Sequence, residues 1–227
     1  MLEHLLARLG QVPELEKIVV ATSDMPQDDP IEDLANRLGV PCYRGSLDNV
    51  LERVALAARQ FDIRTLVRVT GDSLFVEPKY IGALVRLHAQ SKAEYSSAKD
   101  PEKFPRGTTA EVVNTATLEK ILSGATAPED LEHVTWHIRR NSSLYRMAFL
   151  QPDPRLKIIR DPQLRLAIDE ARDFELAERL FERLYPENPL FGLAEILELY
   201  RSDKELFRWN AAVESTTKYP ELEVLRK

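Results

Sequence analysis

Leu66-Val67-Arg68-Val69-Thr70-Gly71-Asp72-Ser73-Leu74-Phe75-Val76-Glu77-Pro78 opens as a β-branched apolar run, stops abruptly at Gly-Asp and gives way to a helical pattern after the proline. In an open α/β sheet such a junction is the carboxyl end of a strand, where ligands bind in the crevice. Gly71 lets a ligand approach closely, and the carboxylate of Asp72 beside it is placed to hold a metal ion on a phosphate chain. Leu164-Arg165-Leu166-Ala167-Ile168-Asp169 repeats the arrangement far downstream, as a last strand ending in an aspartate. The reading requires Asp72 and Asp169 to meet across the sheet.

The flanking sequence supplies the rest of such a sheet. Ile18 to Thr22 is a continuous apolar run of the buried parallel-strand type. Ile31, Leu34, Ala35 and Leu38 follow as a helix stopped by Gly39, then Val40 to Tyr43 as a second strand. Asp48 is placed to cap a helix carrying Val50, Leu51, Val54, Ala55 and Ala58, and Ile81, Leu84, Val85 and His88 mark the helix after Pro78. Short strands alternating with helices are the signature of βαβ units. Before them, Leu2, Leu5, Leu6 and Leu9 share one helical face.

Beyond residue 94 the pattern loosens. Glu94 to Ala98 and Ala110 to Val113 read as strands, Leu118 to Leu122 as a short helix and Glu129 to Arg140 as one helix with a basic end. Leu144 to Leu150 and Leu156 to Ile159 are expected to pair as an antiparallel extension at one edge. Phe174, Ala177, Leu180, Phe181 and Leu184 mark a helix after Asp169, and residues from 186 onward read as an outer helical tail. No repeat or composition break divides the chain, so residues 1–227 are read as one domain with an insertion over 94–150.

The 227 residues carry a net charge of −6, 44% hydrophobic and 30% charged residues. That balance suits a globular core and argues against a general nucleic-acid binder, which would show a basic face. The single cysteine, Cys42, excludes an internal disulfide and any multi-thiolate metal site. No apolar run is long enough to cross a bilayer, and Glu3 and His4 do not make a secretory signal, so a cytoplasmic protein is expected.

Two carboxylates at strand ends suit Mg²⁺, which fills its other positions with water and substrate phosphates. Helix capping competes with that reading for both aspartates. Around them, Val67-Arg68-Val69-Thr70-Gly71-Asp72, Phe104-Pro105-Arg106-Gly107, Glu132-His133-Val134-Thr135 and Ala167-Ile168-Asp169 stand in one order. In these blocks the chain resembles the acylneuraminate cytidylyltransferases, and most closely the spore-coat polysaccharide biosynthesis branch. Arg44-Gly45-Ser46 followed by Asp48, Val50, Leu51 and Arg53 resembles the same branch.

The resemblance implies an α/β Rossmann-like nucleotidyltransferase fold, a mostly parallel sheet flanked by helices with a small mixed insertion. It implies a Mg²⁺-dependent transfer of CMP from CTP to a sugar acceptor, with release of pyrophosphate. Asp72 and Asp169 would hold Mg²⁺ against the triphosphate, and Arg68 would lie under the phosphates or brace Asp72. Arg106, Glu111 and His133 would line the sugar side, and Arg44, Ser46, Asp48 and Gly71 would contact the nucleotide. A homodimer formed through residues 94–150 is implied too. Each role has a plainer competitor: Arg68 as an edge-face charge, Arg106 as surface, His133 as part of a solvated helical face. The His133 and His137 pair also suggests zinc, but no third ligand is evident. Glu111 falls in a strand, where a buried acid needs a partner.

The chain departs from that family in three places. The family opens with a strand and a loop of the type Ala-Arg-x-x-Ser-x-Arg-x-x-x-Lys, and Met1-Leu2-Glu3-His4 resembles the stretch after that loop. The expectation is that the first strand and main phosphate cradle are missing from these residues, through a start set at an internal methionine or through degeneration. Ser73-Leu74 replaces the family's Cys-Pro, and Thr109 replaces a common acid. A non-catalytic relative, or a nucleotidyltransferase for another base or acceptor, therefore stands beside the cytidylyltransferase reading.

Overall fold

Helices and strands alternate from the first residues of the computed structural model, which describes residues 1–98, 104–125, 127–152 and 164–210. Helix α1 (Leu2–Leu9) buries Leu5, Leu6 and Leu9. Then come β1 (Val20–Ser23), α2 (Asp29–Arg37), β2 (Cys42–Gly45), α3 (Val50–Gln60), β3 (Thr65–Arg68) and α4 (Pro78–Ser91). Gly39 adopts a positive φ of 67° after α2, the left-handed conformation glycine supplies at least cost. Pro78 opens α4, where its missing N–H is no loss. Asp48 is exposed and does not cap α3. The side chain of Asn49 does so, accepting from the Glu52 N–H at 3.0 Å.

The described strands make two sheets. β1 pairs in parallel with β2, Ala21 opposite Tyr43. The second sheet has the order β3-β5-β4-β6, with β4 at Tyr95–Ser97, β5 at Glu111–Asn114 and β6 at Met147–Phe149. β5 is antiparallel to both its neighbours, so the mixed character falls in the segment read as an insertion. β6 runs parallel to β4, Ser96 opposite Ala148. Helices α5 (Thr115–Leu122), α6 (Pro128–Glu132) and α7 (Trp136–Arg140) carry the chain between β5 and β6, and parallel pairing needs a crossover of that kind. Residues 156–159, read as its partner, lie outside the described residues.

Two other expectations change. Residues 129–140 are not one helix, because α6 ends before His133 and α7 starts at Trp136. The break lets Thr135 turn its hydroxyl into the protein interior. Among the described residues, Leu164 to Asp169 belongs to no strand ladder; it carries an isolated parallel bridge between Arg106 and Arg165. Helices α8 (Ala171–Leu184), α9 (Leu193–Ser202) and α10 (Lys204–Phe207) complete the described chain.

Adjacent strand residues feed opposite cores, as pleating demands. Val113, Leu66 and Tyr95 pack with Leu51 and Leu118 on one face. Val112 packs with Leu5, Leu84, Leu180 and Ile196 on the other. No helix among the described residues is long and apolar enough to cross a membrane.

Candidate active site

Asp72 follows β3 in a tight turn closed by the Ser73 N–H on the Thr70 carbonyl at 3.0 Å. The Ile168 N–H donates to the carbonyl of Asp72 at 3.0 Å, so the residue preceding Asp169 is tied directly to Asp72. The two aspartates expected to meet are thus carried on adjoining backbone segments. On the other side of the 164–169 segment, the Leu166 N–H donates to the Arg106 carbonyl at 3.0 Å. Gly107 makes this approach possible. Its φ is 84°, and a Cβ there would lie 2.4 Å from the backbone of Leu166 and Ala167. Three blocks far apart in the chain therefore lie side by side: Gly71-Asp72, Ala167-Ile168-Asp169 and Arg106-Gly107.

The fourth block arrives through Glu111. Register places Glu111 directly opposite Arg68 across the β3–β5 ladder, and Arg68 Nη1 donates to it at 3.1 Å. Glu111 also accepts from the Tyr95 hydroxyl at 2.6 Å and the Thr135 hydroxyl at 2.7 Å. Only 1% of its surface is exposed. Burial and the neighbouring Glu111 charge push the Tyr95 hydroxyl well above its usual range. Thr135 thus brings the Glu132–Thr135 block to the sheet, and His133 lies beside it with its ring 5.5 Å from that of Trp136. His137 instead faces Asp130, 3.4 Å away. No group of three or more His, Cys, Asp or Glu suited to a metal ion occurs among the described residues, which leaves the zinc reading without a third ligand.

The residues read as nucleotide contacts gather around β2. Arg44 Nε donates to the Ser23 carbonyl, and its other nitrogens reach Glu32 at 2.7 Å, Asp29 at 2.8 Å and the Met25 carbonyl at 2.9 Å. It braces the loop after β1. Ser46 accepts from the Asn49 N–H at 3.0 Å, and Asp48 is exposed next to it. Gly71 is exposed, with open space where a Cβ would stand. Arg68, Thr70 and Gly71 border a cleft of about 890 Å³ between the two sheets, together with Ala21 of β1 and Val54 and Ala57 of α3. Among the described residues no acid pairs with Arg106.

Asp72 and Asp169 differ in their surroundings. Among the described residues the side chain of Asp72 receives only the Ser73 hydroxyl, at 3.3 Å, and no cation. Asp169 receives Nη2 of Arg165, a residue the sequence reading passed over. Its spacing, Arg165-x-x-x-Asp169-x-x-x-Asp173, was a visible signal. Tyr95 and Thr135 gave none.

Known proteins are similar to this chain in sequence and fold. The cytidylyltransferase family model matches residues 1–211. The spore coat polysaccharide biosynthesis protein SpsF of Bacillus subtilis is 33% identical over 205 residues, 88% of this chain and 82% of that protein. The uncharacterized protein MJ1063 of Methanocaldococcus jannaschii is 34% identical over 176 residues, 78% of this chain and 70% of its own. Among solved structures, a cytidylyltransferase from Leptospira borgpetersenii superposes with a TM-score of 0.81 at 25% identity, covering 90% of this chain and 84% of its own. A CMP:2-keto-3-deoxy-manno-octonic acid synthetase in complex with CTP shares the fold, with a TM-score of 0.53 at 12% identity over 80% of this chain and 87% of its own. With its Rossmann-like nucleotidyltransferase fold and a match running from the first residue to Ala211, the chain belongs to the cytidylyltransferase family.

Proposed function

We propose that the protein transfers CMP from CTP to an oxygen of a sugar acceptor, releasing pyrophosphate, in the synthesis of a surface polysaccharide. The observation that supports this reading is the backbone bond between Ile168 and Asp72, which brings the segment carrying Asp169 against Asp72 just beyond β3. Family membership and the SpsF relative support the class of reaction.

Two carboxylates on adjoining backbone segments, each with few protein partners among the described residues, fit a magnesium ion, which keeps positions for water and substrate phosphates. Asp72 and Asp169 would hold it, and it would neutralise charge on the triphosphate. The chain's own groups do the remaining work of positioning and charge neutralisation on which phosphoryl-type transfer depends. Arg68, pinned by Glu111, presents a fixed cation at the cleft. Gly71 leaves open space for a phosphate to approach the backbone. Arg106, with no acid on it among the described residues, is available to an anionic acceptor, since a guanidinium grips carboxylate or phosphate bidentately. The acceptor oxygen would attack the α-phosphorus, forming the new P–O bond as the bond to pyrophosphate breaks.

The test is calorimetry with the four nucleoside triphosphates and Mg²⁺, followed by a pyrophosphate-release assay with candidate sugars. CTP is expected to bind most tightly, and Asp72→Asn to weaken Mg²⁺-dependent CTP binding at least tenfold while leaving the fold intact. Binding of no nucleotide by the folded chain, or unchanged affinity in Asp72→Asn, overturns the reading.

A further inference from the structure

Asp169 stands at the rim of a buried ion network. Its side chain is 32% exposed, whereas that of Arg165, which donates to its Oδ2, is 6% exposed. Arg165 is held from behind: Nε donates to Asp173 Oδ1 at 3.0 Å and Nη2 reaches Asp173 Oδ2 at 3.2 Å. Asp173 also accepts the N–H groups of Asp169 and Glu170, each at 3.0 Å, and Nδ2 of Asn210 at 2.8 Å. Asn210 donates to the Arg165 carbonyl as well, at 3.1 Å. Asp173 and Asn210 are 2% and 1% exposed. A guanidinium fixed by so many buried partners has no freedom to follow Asp169; the carboxylate must come to it.

Charge points the same way. One arginine faces the two carboxylates of Asp169 and Asp173, and Asp72 lies on the adjoining segment with no cation of its own among the described residues. The cluster keeps uncompensated negative charge at its exposed rim, which favours a cation there. Oδ2 of Asp169 is taken by Arg165, and its other oxygen has no partner among the described residues.

We propose that Arg165, anchored by Asp173 and Asn210, is a positioning residue: it fixes one oxygen of Asp169 and so presents the other to a divalent cation shared with Asp72. The inference rests on the cation site proposed above. Groups that orient a metal-binding carboxylate are commonly worth 10–100-fold in metal affinity.

The experiment is calorimetric titration of Mn²⁺ into the full chain, with and without CTP, as a double-mutant cycle over Arg165→Met and Asp169→Asn. Arg165→Met is expected to weaken Mn²⁺ binding about 10–100-fold when Asp169 is present and to cost nothing more in the Asp169→Asn background. A residue that merely staples the segment to α8 gives additive losses, which would overturn the proposal. So would wild-type affinity in Arg165→Met. Wild-type protein that takes up no Mn²⁺ with or without CTP removes the cation site itself, a distinct failure. Should Arg165→Met not fold, Asn210→Ala keeps the ion pair and removes one brace. It is expected to lose affinity several-fold only when Asp169 is present, and unchanged affinity there overturns the proposal.

Discussion

Glu111 draws three donors from three different elements: Arg68 on β3, Tyr95 on β4 and Thr135 in the break between α6 and α7. A carboxylate this deeply buried is tolerable only with its charge paired and its lone pairs used. Glu111→Ala is expected to cost roughly 3 kcal/mol, because Arg68 is left half-buried without its counter-ion. Chemical denaturation checks this, and a loss below about 1 kcal/mol would show that Arg68 finds water or another acid readily. Sequence alone flagged Glu111 as an acid in a strand needing a partner, and Arg68 as a charge of uncertain purpose. Their pairing depended on an antiparallel register that no local pattern encodes. The side chain of Arg44, read from sequence as a nucleotide contact, is engaged by Asp29, Glu32 and two carbonyls, partners that no local pattern announced.

At the level of elements, the arm from Leu164 to Asp169 reads in sequence as a strand and folds as an extended segment between two loops. Its N–H groups at Leu166 and Ile168 go to Arg106 and Asp72, which sit outside any ladder. Strand propensity reports extended backbone and half-burial, and it does not say what the backbone bonds to. The contact with Arg106 depends on Gly107. Gly107→Ala combines a left-handed φ with a Cβ 2.4 Å from the Leu166 and Ala167 backbone, so the arm must move. A loss of at least about 2 kcal/mol is expected in thermal or denaturant melts, with weaker Mg²⁺-dependent CTP binding as Asp169 shifts. Full retention of both would mean the arm is held by its packing alone. The helix expected over residues 129–140 fails for a comparable reason: its basic, amphipathic pattern is real, but Thr135 is drawn to Glu111 and the backbone gives way at His133.

Across the whole molecule, the C-terminal helices close over the same core as α1 and α4, and the join between them is charged. Arg8, 2% exposed, lies 5.0 Å from the centre of the Phe191 ring and 5.9 Å from that of Phe75, and burial lowers the pKa of its guanidinium. Asp173 makes the fold sensitive to acid. Burial pushes its pKa up, but the bonds from Arg165, Asn210 and two N–H groups outweigh that and hold it below the ordinary carboxylate value. A depressed carboxylate stabilises the fold above its unfolded pKa, about 3.9, and the contribution is lost as pH falls through the lower folded value. Melting temperature is expected to decline as pH is taken below about 4. Asp173→Asn should melt lower at neutral pH and show a shallower acid decline; an equally steep one would assign the effect to other acids, such as Asp28 or Asp203, whose pKa values are also lowered.

The order of elements through α4, the apolar faces of α1 and α3, and the placing of Asp72 at a strand end were all fixed by local pattern. Periodicity, caps and breakers act within a few residues, so a single sequence displays them. The tertiary structure alone decided that β6 runs parallel to β4, that Arg68 answers Glu111 and that Arg165 grips Asp169. Each of those joins groups whose meeting is set by sheet register or by close approach of distant backbone, and burial makes such pairings obligatory only once the chain has closed around them.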